Sequence, residues 1–440
     1  MSHEMIAILM FSSMMLMMMT GQRVFGAIGG IAALAALTLW GTGGSDIPFT
    51  SAMKLMKWFP LLTLPMFIFM GYILSESKIA DDLYKMFHVW MGPINGGLAI
   101  GTIGLMVLVS AMNGLSVAGM AIGSTIALPE LLRRGYDKRM VTGVIQAGSS
   151  LGILVPPSVV LVLYAMIARQ PVGQLWLAGV VPGLMMATLF IIYIVIRCKI
   201  NPALGPALPP EERNVPMAEK LRLLRAGALP IVIFAMMMVP FVNGWTSLVE
   251  SSAVGAMTAF AAAVLKGRMN RQVFEVSVRM TLAISCMFMW IILAALGFGA
   301  VFDGLGAVRA IDNLFTDQLG LSPWMILILM QLSFLVMGTF LDDTAMLVIV
   351  APLYVPLVGE LGFDLIWYGI LYTITTQIAY MTPPFGYNLF LMRAMAPPEI
   401  SLKDIYGSIF PFIMVMLLAL ILIMVFPNIA LWLPHYVYGL

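Results

Sequence analysis

Charged side chains are scarce in this chain. Only 10% of its 440 residues are Asp, Glu, Lys or Arg, whereas these four make up about a quarter of an ordinary soluble domain. The net charge is only +2, so the chain has no basic footprint for a nucleic acid. With 61% hydrophobic residues and a mean hydropathy of +1.00, we expect a lipid bilayer to be the solvent of this protein.

Cysteine and histidine are almost absent too. The two cysteines, Cys198 and Cys286, lie far apart in apolar segments, which argues against a disulfide framework and against a metal site. None of the three histidines lies in a segment predicted to span the membrane. A hydrolase inside the membrane would therefore lack a base, although residues 148–152 formally match the G-x-S-x-G motif of serine hydrolases.

Long apolar runs make up most of the sequence. Ten of them approach the length of about 20 residues that a spanning helix needs. No A-x-A cleavage site follows the first run, so we interpret it as a spanning helix and not as a signal peptide. The predicted spans are 5–20, 23–41, 60–77, 139–168, 172–197, 226–244, 248–266, 280–302, 364–395 and 408–432.

Two further apolar regions, 95–132 and 321–357, are too long for one span. Each is interrupted near its middle by small or polar residues, at 113–116 in the first region and at 338–343 in the second. We therefore predict two re-entrant helical hairpins whose tips stop inside the membrane.

The distribution of basic residues predicts the orientation. With the N-terminus outside, most of the 23 lysines and arginines fall in cytoplasmic segments, as the positive-inside rule requires. Both termini are then periplasmic. The first hairpin has its base in the cytoplasm and the second has its base outside, so the two hairpins enter the membrane from opposite faces.

These elements give the predicted organisation of the chain. Three amphipathic segments, 78–92, 303–318 and 397–407, are interpreted as helices along the membrane interface, with ordinary loops as the alternative. The predicted units are N-terminal scaffold helices over 1–59, a first repeat over 60–199, a cytoplasmic connector over 200–225, scaffold helices over 226–279 and a second repeat over 280–440.

An internal repeat is the strongest signal in the sequence. Three short motifs recur 227 positions later in the same order. The pairs are GYD at 135–137 and GFD at 362–364, LP at 128–129 and VP at 355–356, and PP at 156–157 and PP at 383–384. Because the two copies have opposite orientations in the predicted topology, the pattern is typical of a secondary transporter with its site where inverted repeats meet.

Each double proline lies inside a predicted span, 139–168 in the first copy and 364–395 in the second. Proline lacks an N–H and clashes with the preceding turn, so both helices should break and free carbonyl oxygens at mid-membrane. Such backbone persists only where it lines a polar cavity or holds an ion, and oxygen ligands suit a hard cation such as sodium. A kinked structural helix is the alternative. The residues that would let the chain unwind around an ion are Gly148 to Ser150 and Gly152 in the first copy, and Thr375, Thr376, Gln377 and Thr382 in the second.

Four segments carry a resemblance to a known family. GYDKRMVTGVIQAGSSLGILVPPSVV, LWLAGVVPG, FLDD and MTPPFGYNLFL resemble the large membrane subunit of tripartite ATP-independent periplasmic (TRAP) transporters, and the resemblance extends from the first span to the last. It implies an all-α polytopic membrane protein of the inverted-repeat, elevator type, with two opposed re-entrant hairpins and two broken helices.

The resemblance also implies partners and an energy source. The large subunit of that family works in the bacterial inner membrane with a small four-helix membrane subunit and a soluble periplasmic binding protein. It imports organic acids with a sodium gradient. The hairpins and broken helices would form the moving transport domain, and the scaffold would be formed by the spans around 5–41, 172–197, 226–266 and 408–432.

Carried onto this sequence, the resemblance implies two sodium sites, each at a hairpin tip and the break beside it. The first set is Asn113, Ser116, Gly152, Val155 and Pro156. The second set is Gly338, Thr375, Thr376, Ala379 and Thr382. Many members have Ser-Gly-Ser-Ser at the first tip, where this chain has Asn-Gly-Leu-Ser.

The substrate is expected between the two tips, where helix N-termini point inward and favour an anion. The carboxylates at the second tip are costly in a membrane and indicate function, but they would serve equally well as caps of the following helix. The residues expected to contact substrate are Asn113, Gly114, Ser116, Ser149, Ser150, Asp342, Asp343 and Gln377.

Other function classes fit the sequence less well. A channel would not need two hairpins from opposite faces, and a purely structural subunit would not need two breaks at mid-membrane. A transporter that works without a binding protein stays open, because other elevator families share the inverted hairpin plan.

Overall fold

The computed structural model describes residues 2–213, 215–313, 320–339, 341, 343–383 and 386–439. Within these ranges, the side chains left outside the description are those of residues 19, 52, 110–113, 118, 213, 311–313, 344, 348, 352 and 353. The described chain consists of helices joined by turns and short loops, with no β-strand. The predicted all-α fold is confirmed.

In the first half, a hairpin is formed by α6 and by α7 with α8, and a broken helix is formed by α9 and α10. A π-helical turn over Gly123–Ala127 joins α7 to α8. The helices are α1 His3–Met19, α2 Val24–Leu39, α3 Asp46–Met56, α4 Thr63–Glu76, α5 Ile79–Met91, α6 Gly97–Asn113, α7 Ser116–Ile122, α8 Leu128–Arg133, α9 Lys138–Ser150, α10 Val159–Ala168 and α11 Val172–Ile200.

In the second half, α17 and α18 form a hairpin, and α19 and α20 form a broken helix. The helices are α12 Pro210–Arg213, α13 Met217–Val242, α14 Leu248–Leu265, α15 Arg271–Gly304, α16 Ala307–Asn313, α17 Pro323–Gly338, α18 Asp343–Glu360, α19 Leu365–Tyr380, α20 Tyr387–Met395, α21 Leu402–Val425 and α22 Asn428–Tyr438.

The helix boundaries keep the spacing of the sequence repeat. α9 and α19 start 227 residues apart, and the ends of α10 and α20 have the same separation. An aspartate caps each of the two helix starts, since the side chains of Asp137 and Asp364 accept backbone N–H groups of the first turn. Just before them, Gly135 at φ +77° and Gly362 at φ +79° adopt the left-handed conformation that often follows a helix.

Six segments of the described chain are long and apolar enough to cross a membrane, which makes this a multi-pass membrane protein. Shorter apolar helices include α1, α2 and α10 and the first helix of each hairpin. The six segments are Phe59–Glu76, Val172–Ile200, Met217–Val242, Leu248–Leu265, Arg271–Gly304 and Leu402–Val425.

The prediction of one continuous span over 408–432 is wrong. α21 ends at Val425 and α22 begins at Asn428. Phe426 between them has φ −121° and ψ 77°, because a residue before a proline is pushed out of the helical region and Pro427 follows it.

The three segments predicted to be amphipathic helices differ in how far the structure agrees with the prediction. Segment 78–92 is helical as α5, whereas 303–318 contains the end of α15 and then α16, and its last residues, 314–319, lie outside the described ones. Segment 397–407 is not an interface helix. Its second part is the start of α21, where Ser401 and Asp404 form a capping box.

Two helices differ from the predicted spans. α13 begins at Met217, inside the segment 200–225 whose role as a cytoplasmic connector stays a prediction. Helix α3 was not predicted as an element of its own, because its polar first turn breaks the apolar pattern on which the spans were based.

The helices pack in two groups. In one, α15 packs against α2, α3 and α4, and α14 packs against α4 and α13. In the other, the hairpins and broken helices pack with α11, α21 and α22. The groups meet where α15 packs against α18 and where α4 and α13 pack against α6.

Candidate functional site

The first hairpin tip packs directly against the first broken helix. Gly114 has φ +67°, and a Cβ atom at this position would lie 2.0 Å from the carbonyl oxygen of Pro157. A Cβ atom at Gly152 would lie 2.8 Å from the carbonyl oxygen of Leu115. The Val159 N–H donates to the Gly114 carbonyl at 3.4 Å. Only glycine fits such a close approach of two backbones.

The break itself leaves backbone oxygens that have no donor among the described residues. α9 ends at Ser150, a short 3₁₀ turn follows, and α10 begins nine residues later. No described residue donates a hydrogen bond to the carbonyls of Gly152, Val155 or Pro156. The Ser158 carbonyl, in contrast, accepts the Trp176 indole N–H at 3.1 Å. The predicted first sodium set thus contains three buried carbonyls that can still accept a bond or a cation.

The second tip is held by side chains of the second broken helix. The Asp343 N–H donates to the Tyr380 hydroxyl at 3.0 Å, and the Tyr372 hydroxyl donates to the Asp343 carbonyl at 2.8 Å. A Cβ atom at Gly338 would lie 2.5 Å from the Cβ atom of Ala379. Ala379 is the repeat equivalent of Gly152, so the same position contacts the tip in both halves.

In the predicted second sodium set, Gly338, Thr375, Thr376 and Ala379 are buried and Thr382 is partly exposed. The hydroxyl protons of the three threonines have acceptors. Thr375 donates to the Gln331 side-chain oxygen at 2.5 Å. Thr376 donates to the Tyr372 carbonyl at 2.9 Å, and Thr382, just beyond the end of α19, donates to the Ile378 carbonyl at 2.7 Å. The Ala379 carbonyl accepts the Thr382 N–H at 3.0 Å. A hydroxyl that donates keeps lone pairs for a cation, so this set remains a prediction.

Hydrogen bonds between the two broken helices bring predicted substrate residues together. Gln377 donates to the Ser150 carbonyl at 2.8 Å, and these two residues are repeat equivalents. Asn388 donates to the Ser149 hydroxyl at 3.4 Å and accepts from the Ser116 hydroxyl at 3.3 Å. All five side chains are buried.

Sequence reasoning missed three buried amides at this centre: Asn388, Gln146 and Gln331. Each is a polar residue inside an apolar helix, which was the available signal, because a buried amide requires partners. Two of the predicted substrate contacts lie outside the described part of the chain, namely the side chain of Asn113 and all of Asp342.

A cavity of about 250 Å³ lies between the two hairpin tips. Its walls come from α4 and α15 on one side and from α7, α18, α19 and α20 on the other. Ser116 and Asp343, which are the first residues of α7 and α18 and repeat equivalents, both line it and are 3% and 7% exposed. The two tips therefore line a common space, and its use as a substrate site stays a prediction.

The G-x-S-x-G match has no enzymatic context in the described chain. Residues 148–152 lie at the end of helix α9 and in the 3₁₀ turn after it, whereas the hydrolase motif needs a strand before the serine. The hydroxyls of Ser149 and Ser150 donate to carbonyls of their own helix, at 2.9 and 2.7 Å.

The fold is also found in a solved transporter structure. The YdaH transporter of Alcanivorax borkumensis, a crystal structure with an unusual topology, superposes with a TM-score of 0.65 at 14% sequence identity, covering 96% of this chain and 98% of that one.

Relatives and a family profile identify the chain more closely. It is 31% identical over 381 residues to the C4-dicarboxylate TRAP transporter large permease protein DctM of Pseudomonas aeruginosa, covering 86% of this chain and 87% of the relative. It is 28% identical over 390 residues to the ectoine TRAP transporter large permease protein TeaC of Halomonas elongata, covering 85% and 86%. The profile of the tripartite ATP-independent periplasmic transporter, DctM component, matches residues 11–429. The chain therefore belongs to the DctM component family of tripartite ATP-independent periplasmic transporters.

Proposed function

We propose that this permease imports a small organic acid, of carboxylate or sulfonate type, across the bacterial inner membrane by an elevator movement driven by a sodium gradient. The observation that carries the proposal is the cavity between the two tips, with the equivalent residues Ser116 and Asp343 on its lining. A space closed by two hairpins from different halves of the chain is what an inverted-repeat transporter needs at its centre.

The printed names of the relatives support the substrate class. The Pseudomonas aeruginosa relative is named for C4-dicarboxylates and the Halomonas elongata relative for ectoine. Both substrates are small and carry a carboxylate. The residues we propose to contact substrate are those that the tips and broken helices contribute, with Ser116 and Asp343 on the cavity lining itself.

Sodium is the proposed coupling ion because of the first break. Three carbonyl oxygens there, at Gly152, Val155 and Pro156, accept no hydrogen bond from the described residues. Buried carbonyls are costly without a partner, and a hard cation takes oxygen ligands. We propose the first sodium site at these oxygens and the second at the threonines of α19.

The elevator proposal rests on the packing. We assign α11 and α21 to the moving group, since they pack against the broken helices; from the sequence they were expected in the scaffold. We further propose inverted orientation of the two repeats, with both termini in the periplasm. A small membrane subunit and a periplasmic binding protein are the proposed partners.

Thermal stability of the purified protein in sodium, potassium or choline chloride at equal ionic strength tests the coupling. A ligand that binds only the native state stabilises it by about 2.7 kcal/mol at 100 times its Kd. We expect a saturable rise of the unfolding midpoint in sodium alone. Gly152→Ala should abolish it, because the new Cβ atom would displace the tip from the break.

Gly297→Ala is the matched control, because Gly297 is buried in α15 and a Cβ atom there would meet nothing within 4 Å. It should keep the full response to sodium. A midpoint that is the same in sodium and choline would contradict sodium coupling. A normal response in Gly152→Ala would move the ion away from the first break.

A further inference from the structure

None of the described residues that line the central cavity is basic. Neither lysine nor arginine occurs in the parts of the hairpins and broken helices at 97–132, 140–168 and 323–392, nor in the parts of the opposite wall at 59–76 and 280–304. The basic residues of these elements lie toward their ends, at Arg133, Lys138, Arg139, Arg271, Arg279 and Arg393. A substrate anion in this cavity therefore meets no positively charged side chain among the described lining residues.

The charge that the described lining does carry is negative. Among the described residues that line the cavity, Asp343 is the only charged one. It is 7% exposed. Placing two substrate carboxylates beside it, away from water, would combine desolvation with like-charge repulsion. A positively charged group on the substrate would reverse the sign of that interaction.

The remaining lining suits a cation as well. Phe288, Tyr72, Tyr380 and Tyr387 all line the cavity, and the rings of Tyr380 and Tyr387 are 5.7 Å apart between centroids. Aromatic faces attract ammonium-type groups, most strongly where water is excluded. On the other tip, Ser116 offers a hydroxyl, a neutral group that can donate to a carboxylate.

We propose that the transported molecule is a zwitterion, with a cationic nitrogen that faces Asp343 and the aromatic wall and a carboxylate that faces the first tip at Ser116. This inference rests on the proposed function and narrows its substrate class. It favours an aminocarboxylate or an amidinium carboxylate over a dicarboxylate of the same size, because the dicarboxylate lacks the positive charge. Of the two proposed sodium ions, the one at the first break would lie on the side of the substrate carboxylate, and the one at the threonines of α19 would lie on the side of the second tip.

Matched pairs of small acids test it. Succinate is paired with 4-aminobutyrate and glutarate with 5-aminovalerate, so that each pair differs mainly in one charged end. The unfolding midpoint of the full chain is measured against each compound, in sodium and in choline. We expect the aminocarboxylates to raise the midpoint and the dicarboxylates to leave it unchanged.

Two variants connect the effect to the residue. Asp343→Asn keeps the backbone bonds to Tyr372 and Tyr380 and should weaken aminocarboxylate binding about tenfold, since a hydrogen bond to a charged group is lost. Glu360→Gln removes a carboxylate at the exposed end of the same helix and should bind like the parent.

The outcomes distinguish a failure of the zwitterion proposal from a failure of the proposed sodium coupling. Stabilisation by the dicarboxylate of a pair, by neither member of any pair, or equally by both overturns the zwitterion proposal. So does an unchanged aminocarboxylate response in Asp343→Asn. If sodium alone stabilises the protein in these cases, the proposed coupling stands and only the substrate class is wrong. If sodium does not stabilise it, the coupling fails whatever the acids do.

Discussion

The two hairpin tips occupy equivalent positions in the repeat, yet each contacts its broken helix by different means. At the first tip the contacts join backbone to backbone, through Gly114 and Gly152. At the second, tyrosine hydroxyls of α19 bond the backbone of Asp343, and a methyl group, Ala379 Cβ, occupies the place of Gly152.

The difference shows which features the two repeats share. Helices start and end at equivalent positions in both repeats, whereas the atoms that join each hairpin tip to its broken helix differ between the two halves. Backbone contacts leave no space for an added atom, and side-chain contacts can be rebuilt by a compensating change. The first half should therefore be the less tolerant of substitution.

The largest expected effect is at Gly114. Gly114→Ala adds a Cβ atom 2.0 Å from the Pro157 carbonyl oxygen in a left-handed conformation that costs about 1–2 kcal/mol for other residues, and overpacking adds about 1–3 kcal/mol. Gly135→Ala is the control, since Gly135 has a similar φ and nothing within 4 Å. The unfolding midpoints should differ clearly, and equal midpoints would contradict the close contact.

A compensated pair tests the second tip. Gly338→Ala should destabilise the protein by about 1–3 kcal/mol, because its Cβ atom would meet that of Ala379 at 2.5 Å. Adding Ala379→Gly removes the opposing Cβ atom and should recover most of the lost free energy of unfolding. A glycine inside a helix costs about 1 kcal/mol, so the recovery should be incomplete by about that amount. The unfolding midpoints of the single and double variants measure the rescue. A double variant less stable than Gly338→Ala would show that the methyl groups do not oppose each other.

The bond between the two broken helices has a smaller expected effect. Gln377→Leu leaves the buried Ser150 carbonyl without its side-chain donor, at a cost of about 1–3 kcal/mol. Gln146→Leu is the comparison. Its amide donates to the Thr142 carbonyl at 3.2 Å and to the Ser408 hydroxyl at 3.3 Å. The Thr142 carbonyl lies inside helix α9 and the Ser408 hydroxyl has its own acceptor, the Ile405 carbonyl, so the loss should be smaller. Denaturant unfolding measures the free energy of unfolding of both variants. A larger loss in Gln146→Leu than in Gln377→Leu would contradict the prediction.

The smallest expected effect is a pH dependence confined to the first half. Burial lowers the pKa of His88 in α5 below its ordinary value of 6.5, partly opposed by Glu130 and Glu212. The folded protein therefore binds this proton less readily than the unfolded chain, and stability should fall as the pH drops below about 6.5. The repeat equivalent of His88 is Phe315, whose side chain does not titrate.

His88→Gln should reduce the loss of stability between pH 7.5 and 5.5. The measurement is the unfolding midpoint at several pH values in the same salt. An equal pH dependence of the variant and the parent would exclude His88 as its source.

Patterns that are local in sequence predicted most of the helical architecture. The double proline at 156–157 and the aspartate caps at 137 and 364 act within a few residues, so the sequence was enough to place the broken helices. The prediction of a continuous span over 408–432 was wrong for a local reason too, because Pro427 pushes Phe426 out of the helical conformation.

The amino-acid sequence by itself determined the membrane environment, the repeat of 227 residues and the positions where helices stop, because apolar length, missing N–H groups and caps are properties of short segments. Only the tertiary structure decided which residues meet. Asn388 contacts Ser116 from 272 positions away, and Ser116 and Asp343 share one cavity. Such contacts depend on how helices pack, and packing is set by the shapes of many side chains at once.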